Sequence, residues 1–406
     1  AGTGDDSITG GDGDDDIMMG LNLTSGDHID GGAGTDWLYF TPIAGIPNAL
    51  ANVINMEHVV LTDSLTDVSL VLPPYLAGEG GTIHFDASAM THSLALDAHF
   101  LSGHLDYTAG SGADNIVGSA YTDYFHYGTN LTSADTIFGG GDADTLSATF
   151  TGAGASALTN VQSVETVVLN AGSTASFTVD ETLAEHLAGS TTSGNHVAID
   201  AGLMTSALSF DASGVTGNYG FYITGGSGAD VLKGGAFNDS LSGGAGNDTL
   251  SGGAGNDTLT GGAGADTLSG GTGANTFVYN VGDVAAGETL TDATAADTLV
   301  ANGSIDFRSA AGINNFGTVK LVGDGITDTF GKAQLEELTA VTFQHSGTPS
   351  ASTLEVYLDT SHTTVDASAA DITGNIADDT FYFHGSTSGD AIIGSSLNDI
   401  IDGGAG

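Results

Sequence analysis

The sequence predicts an all-β protein, a right-handed parallel β-roll or β-helix solenoid with a few short helices. Three observations predict it. A nine-residue unit bearing Gly and Asp recurs in tandem. The acids are 41 Asp against nine Glu, and Asp suits turns and cation loops where Glu suits helix surfaces. The segments between repeats are rich in Thr, Val, Leu and Ala without a helical period, which reads as further solenoid strands.

From Gly225 to Val278 six consecutive units read GGSGADVLK, GGAFNDSLS, GGAGNDTLS, GGAGNDTLT, GGAGADTLS and GGTGANTFV. The pattern is G-G-x-G-x-D-x-U-x, with U large and apolar. The first six residues of a unit are expected to form a tight turn, because Gly supplies φ > 0. The last three form a short strand with U inward. Leu232, Leu241, Leu250, Leu259 and Leu268 then stack as an internal ladder, and two units complete one coil. Phe237 stands where the pattern has Gly and Asn275 where it has Asp, which weakens the case for a cation at those units. More degenerate units are Ala1–Thr9, Gly10–Met18, Asn22–Asp30, Gly31–Tyr39, Ala109–Val117, Gly118–His126, Asn130–Phe138, Gly139–Ser147, Gly374–Tyr382, Gly385–Ile393 and Gly394–Asp402.

The Asp at position six returns on the same side every second unit. Turn carbonyls and these carboxylates surround a hard cation, and oxygen-only ligation selects Ca2+. The candidate ligands are Asp6, Asp15, Asp36, Asp114, Asp123, Asp144, Asp230, Asp239, Asp248, Asp257, Asp266 and Asp399. A metal-free Gly-rich solenoid is the alternative, but position six would then be free to be Asn or Ser. Without the cation, rows of Asp repel and three-residue strands bury too little, so folding is expected to be gated by calcium.

A longer repeat has an offset of 108: LANVINMEHVVL (Leu50–Leu61) matches LTNVQSVETVVL (Leu158–Leu169), with a weaker copy at Gly312–Val322. An Asp-Ala-Ser step recurs at Phe85–Ser88, Phe210–Ser213 and Val365–Ser368. We divide the chain into solenoid modules 1–108, 109–224 and 225–373, the last opening with the six tandem units, and the start of another at 374–406. Helices are expected at Val179–Ala188, capped by Asp180, and at Lys332–Leu338.

Charge and motifs exclude several functions. There are four Lys+Arg against 50 Asp+Glu, a net charge of −46, and residues 1–232 contain no Lys or Arg. Nucleic acid and anionic membrane are therefore poor partners. The 40% hydrophobic content is too high for a disordered acidic tail. Salt adaptation would not fix the Asp spacing. There is no Cys, and no apolar run long enough for a membrane helix, so no membrane insertion is expected. No leader is visible; both ends fall inside repeat units and read as cuts through a longer protein. The sequence holds no G-x-S-x-G elbow, H-E-x-x-H, P-loop or Rossmann fingerprint, and an enzyme is not expected. His84, His92, His99 and His104 crowd together; zinc is one reading, exposed or hydrogen-bonded strand histidines the preferred one. Trp37, the Tyr124/Phe125/Tyr127 group and Phe381/Tyr382/Phe383 are expected to plug the core.

The nonapeptides resemble the RTX (haemolysin-type calcium-binding) repeat. Together with the VETVVL-type strands and Phe-Asp-Ala-Ser steps, the chain resembles the C-terminal part of RTX-type S-layer proteins of Gram-negative bacteria. That resemblance implies a type I secreted protein that folds in external calcium and self-associates into a cell-surface lattice or filament. Anchoring, for instance to cell-surface polysaccharide, would fall to a region outside this chain. Two other readings fit the repeats: the stalk of a giant RTX adhesin, and the calcium-folding tail of a secreted hydrolase.

Overall fold

The computed structural model describes residues 2–78, 80–189, 195–291, 293–294, 296–310, 312–313, 316–323, 326–331, 340–344, 351–357, 364–366, 371–373 and 379–405. The chain falls into two compact units, Ala1–Met204 and Thr205–Gly406, and each is a parallel β-solenoid. The module edges near 108/109, 224/225 and 374 are edges of sequence repetition; they stand as a proposal beside this division.

In the first unit one parallel ladder runs through Asp16–Gly20, Trp37–Phe40, His58–Leu61, Thr82–Asp86, His104–Thr108, Tyr124–Gly128, Thr145–Ala148, Thr166–Leu169 and His196–Asp200. Strand alternation sends every second side chain inward. The register aligns Ile17, Leu38, Val59, Phe85, Tyr107, Phe125, Leu146, Val167 and Ile199 in one buried column. A second ladder runs through Val68–Val71, Leu94–Asp97, Asn115–Val117, Thr136–Phe138 and Val161–Gln162.

In the second unit the Leu ladder resolves into two columns. Ile223, Leu241, Leu259 and Phe277 align on one sheet, and Phe210, Leu232, Leu250, Leu268 and Leu290 on another. Alternate units therefore supply opposite walls of one coil. The strands are longer than the expected three residues. Ser240–Ala245 and Thr249–Ala254 run on into the Gly-Gly-Ala that opens the next unit. Small residues let coils stack there, pairing Gly244 with Gly262 and Ala245 with Ala263. The turn shrinks to positions four to six.

Glu181–Ala188 is the α-helix among the described residues, and Asp180 caps it by accepting from Leu183 N at 2.9 Å. No described helix is long and apolar enough to cross a membrane. The expected helix at Lys332–Leu338 lies outside the described residues. The Asp-Ala-Ser steps are Asx turns: Asp86 and Asp211 accept from Ser88 N and Ser213 N, and Ala87 and Ala212 are buried. The side chains of the third step lie outside the described residues. Of the aromatic groups, Phe125, Tyr127, Phe381 and Phe383 are core. Tyr124 is exposed and Trp37 lies outside the core, stacked on His58 at 4.5 Å, because strand alternation turns these positions outward.

Candidate metal centres

Each glycine of the repeated pattern has its own physical reason. In the unit opening at Gly243, Gly244 and Gly246 have φ of 99° and 123°, the left-handed region that L side chains resist. Gly243 itself has ordinary φ, but a Cβ there would run into both Asp248 Oδ2 and the carbonyl oxygen of Gly261, the first glycine one coil later. Two acceptor oxygens thus converge on a space that only hydrogen leaves free. Gly252 is wedged in the same way between Asp257 Oδ2 and Gly270 O.

The other carboxylate oxygen has a fixed duty. It accepts the backbone N–H of the residue one coil earlier: Asp230 N donates to Asp248 Oδ1, Asp239 N to Asp257 Oδ1 and Asp248 N to Asp266 Oδ1, at 2.7–2.8 Å. These rungs orient the carboxylates and satisfy buried N–H groups.

The candidate ligands separate by what Oδ2 meets. In Asp15, Asp36, Asp144, Asp248, Asp257 and Asp266 it is buried without a hydrogen-bond partner. In Asp6, Asp123, Asp230, Asp239 and Asp399 it accepts the N–H of the unit's second residue: Gly2, Ser119, Gly226, Gly235 and Ser395. The cause is backbone conformation. In all six turns of the first, open kind the second residue, Gly11, Gly32, Gly140, Gly244, Gly253 or Gly262, has φ > 0 and its N–H turns away; none of the second, closed kind has this. Phe237, at the fourth position where Gly246 of the next unit is left-handed, sits in a closed turn. Asp114 Oδ2 differs from both sets and accepts from the Tyr107 hydroxyl at 2.9 Å inside the core.

Burial raises the acids of these turns. It pushes Asp257 up to about 6, Asp248 and Asp239 to about 7 and Asp144 to about 8, with neighbouring carboxylates adding to the rise for Asp144, Asp248 and Asp239. A hard cation beside Oδ2 would remove this penalty. Among the described residues no three His, Asp or Glu side chains converge as a metal cluster, so a donor set here would be one or two carboxylates per turn with backbone carbonyls. The histidines have separate partners: His84 pairs with Asp106, His99 with Asp97, His92 with Asp63, and His104 with Thr122 O.

The ladder contains acids that sequence reasoning did not single out. Asp27, Asp135 and Asp297 carry rungs for Asp6, Asp114 and Asn275, and their Oδ2 accepts from Thr24, Thr132 and Thr294. A Thr-x-x-Asp spacing is their signal. Glu57, Glu165 and Glu288 carry rungs for Asp36, Asp144 and Asp266. Asp328 accepts from Ile305 N, and its Oδ2 is buried without a partner.

The two kinds of turn should respond differently to truncation. Asp248→Ala is expected to remove a bound calcium. Asp239→Ala is expected to leave the count unchanged and to cost about 1–3 kcal/mol by orphaning Phe221 N and Gly235 N. Equilibrium dialysis and melting of both variants check this; equal calcium losses would defeat the distinction.

A family model for the RTX calcium-binding nonapeptide repeat (4 copies) matches residues 1–21, 24–40, 131–149, 224–259 and 242–277. No curated protein is matched by the chain. The matched segments contain all six open turns. Repeats of this kind imply calcium binding and are typical of secreted proteins.

Proposed function

We propose that this RTX-repeat protein is a secreted structural protein that folds around calcium and self-assembles into a bacterial surface layer or extracellular filament. The observation that carries the calcium part is the set of six buried carboxylates whose second oxygen has no partner and faces a glycine cradle. At Asp248 and Asp257 a backbone carbonyl of the next coil faces the same point. Water-excluded carboxylates of this kind, when ionised, are stabilised by a cation between them.

Assembly is supported by the modular repetition at an offset of 108 and by a sequence without a known catalytic signature. In this role calcium is structural, and no enzymatic activity belongs to the chain. The test is negative-stain imaging of the purified chain in millimolar calcium and again with chelator. Ordered sheets or filaments that vanish with chelator are the expected result. Isolated particles at every calcium concentration would overturn assembly and favour an adhesin stalk.

A further inference from the structure

We propose that two nonapeptide arrays of the first unit end on a calcium site completed by residues outside the repeats: Asp36 with the carbonyl of Asn55, and Asp144 with the carbonyl of Ser163. The inference rests on the calcium reading of the open turns. Within an array the wedged glycine meets its own Asp and the carbonyl of the first glycine one coil later, as Gly10 meets Asp15 Oδ2 and Gly31 O. At Gly31 and Gly139 the following coil is not a repeat. The carbonyl in that place belongs to Asn55 and to Ser163, beside Asp36 Oδ2 and Asp144 Oδ2.

Both residues hold an uncommon backbone. Asn55 has φ of 53° and Ser163 of 51°, left-handed without being Gly. For Ser this costs on the order of 1 kcal/mol, and such strain persists where surroundings enforce it. Two residues on, Glu57 and Glu165 take over the rung, accepting Asp36 N at 2.9 Å and Asp144 N at 2.8 Å. Asp36 and Asp144 are 0% exposed, and Asp36 Oδ2, Asp144 Oδ2 and Glu165 Oε1 are buried without partners. Asn55 spends its side chain on Asp30 Oδ1, so what the two copies share is the carbonyl, not the side chain. A carbonyl, one carboxylate and, at the second site, a nearby Glu are all hard oxygen donors of the kind a calcium ion takes.

The third array lacks this ending. A Cβ at Gly261 would meet only Asp266 among its nearest atoms, and Glu288 Oε1 is reached by the Tyr279 hydroxyl. The Glu-bearing strand is thus the shared closing rung, and in the first unit the left-handed residue before it adds a carbonyl beside the carboxylate.

The second array gives the cleanest test, because at its other turns the Oδ2 of Asp114, Asp123 and Asp135 each accepts a hydrogen bond. Calcium per folded full-length chain is counted by equilibrium dialysis, with circular dichroism confirming the fold. Asp144→Asn and Ser163→Val are each expected to lose one ion, or to weaken it at least tenfold, since a β-branched residue resists φ > 0. Ser163→Gly is expected to keep the full count, because Gly holds the same backbone without strain. Asp248→Asn serves as the array control; Asn275 already occupies such a rung, accepting from Asp257 N. If Asp144→Asn and Ser163→Val keep the full count while Asp248→Asn loses one ion, the end site is overturned and the calcium reading stands. If none of them loses an ion, the calcium reading falls with it. Loss in Ser163→Gly would overturn the carbonyl role.

Discussion

Stripped of calcium at about pH 8, the protein should lose its folded nonapeptide coils, and acidification to about pH 5 should partly restore them. Burial raises the folded-state pKa of Asp257 to about 6, Asp248 and Asp239 to about 7 and Asp144 to about 8. A carboxyl raised on folding binds its proton more tightly in the fold. Its contribution is therefore complete below the ordinary carboxylate range and is lost as pH climbs through 6 to 8. Calcium reverses the sign for the open turns, since ligand oxygens must be deprotonated and acid then expels the metal. Melting curves against pH, with calcium and with chelator, should thus slope in opposite directions. At a hundredfold excess over Kd each site adds about 2.7 kcal/mol. Six such turns bring calcium linkage to the scale of an ordinary domain's whole stability, roughly 5–15 kcal/mol. A chelated protein that is most stable at pH 8 would refute the argument.

Gly243→Ala should cost about 3 kcal/mol or more and remove calcium, although it changes no charge. The added methyl meets Asp248 Oδ2 and Gly261 O. Neither can retreat: the carboxylate is held by its rung to Asp230 N, and the carbonyl belongs to the next coil's strand. Costs of this size come from overpacking against groups that cannot relax. Gly214→Ala is the matched control, because a Cβ there finds open space. Thermal melting compares the two; equal shifts would mean that the cradle is not tightly built.

The coil was legible because period and polarity agreed. A nine-residue period with one large apolar residue places Leu232 to Leu268 inward whichever wall each one lines. The state of each turn was not legible. Gly226 and Gly235 satisfy the pattern as well as Gly244 does, yet only Gly244 is left-handed. Glycine permits φ > 0 without dictating it, and the following residues and the next coil decide. The Glu of the V-E strands reads as a strand residue because its partner N–H lies a coil away. Trp37 and Tyr124 suggest core by their aromatic character, whereas alternation along the strand places them outside it.

The rungs all point one way. Each carboxylate lies later in the chain than the N–H it receives, from Asp27 serving Asp6 to Asp297 serving Asn275. A chain emerging amino end first therefore displays every turn before its acceptor exists. No turn is complete until one further coil has arrived, so each segment waits for the coil that follows it. Completion of the turns therefore trails the growing chain by one coil.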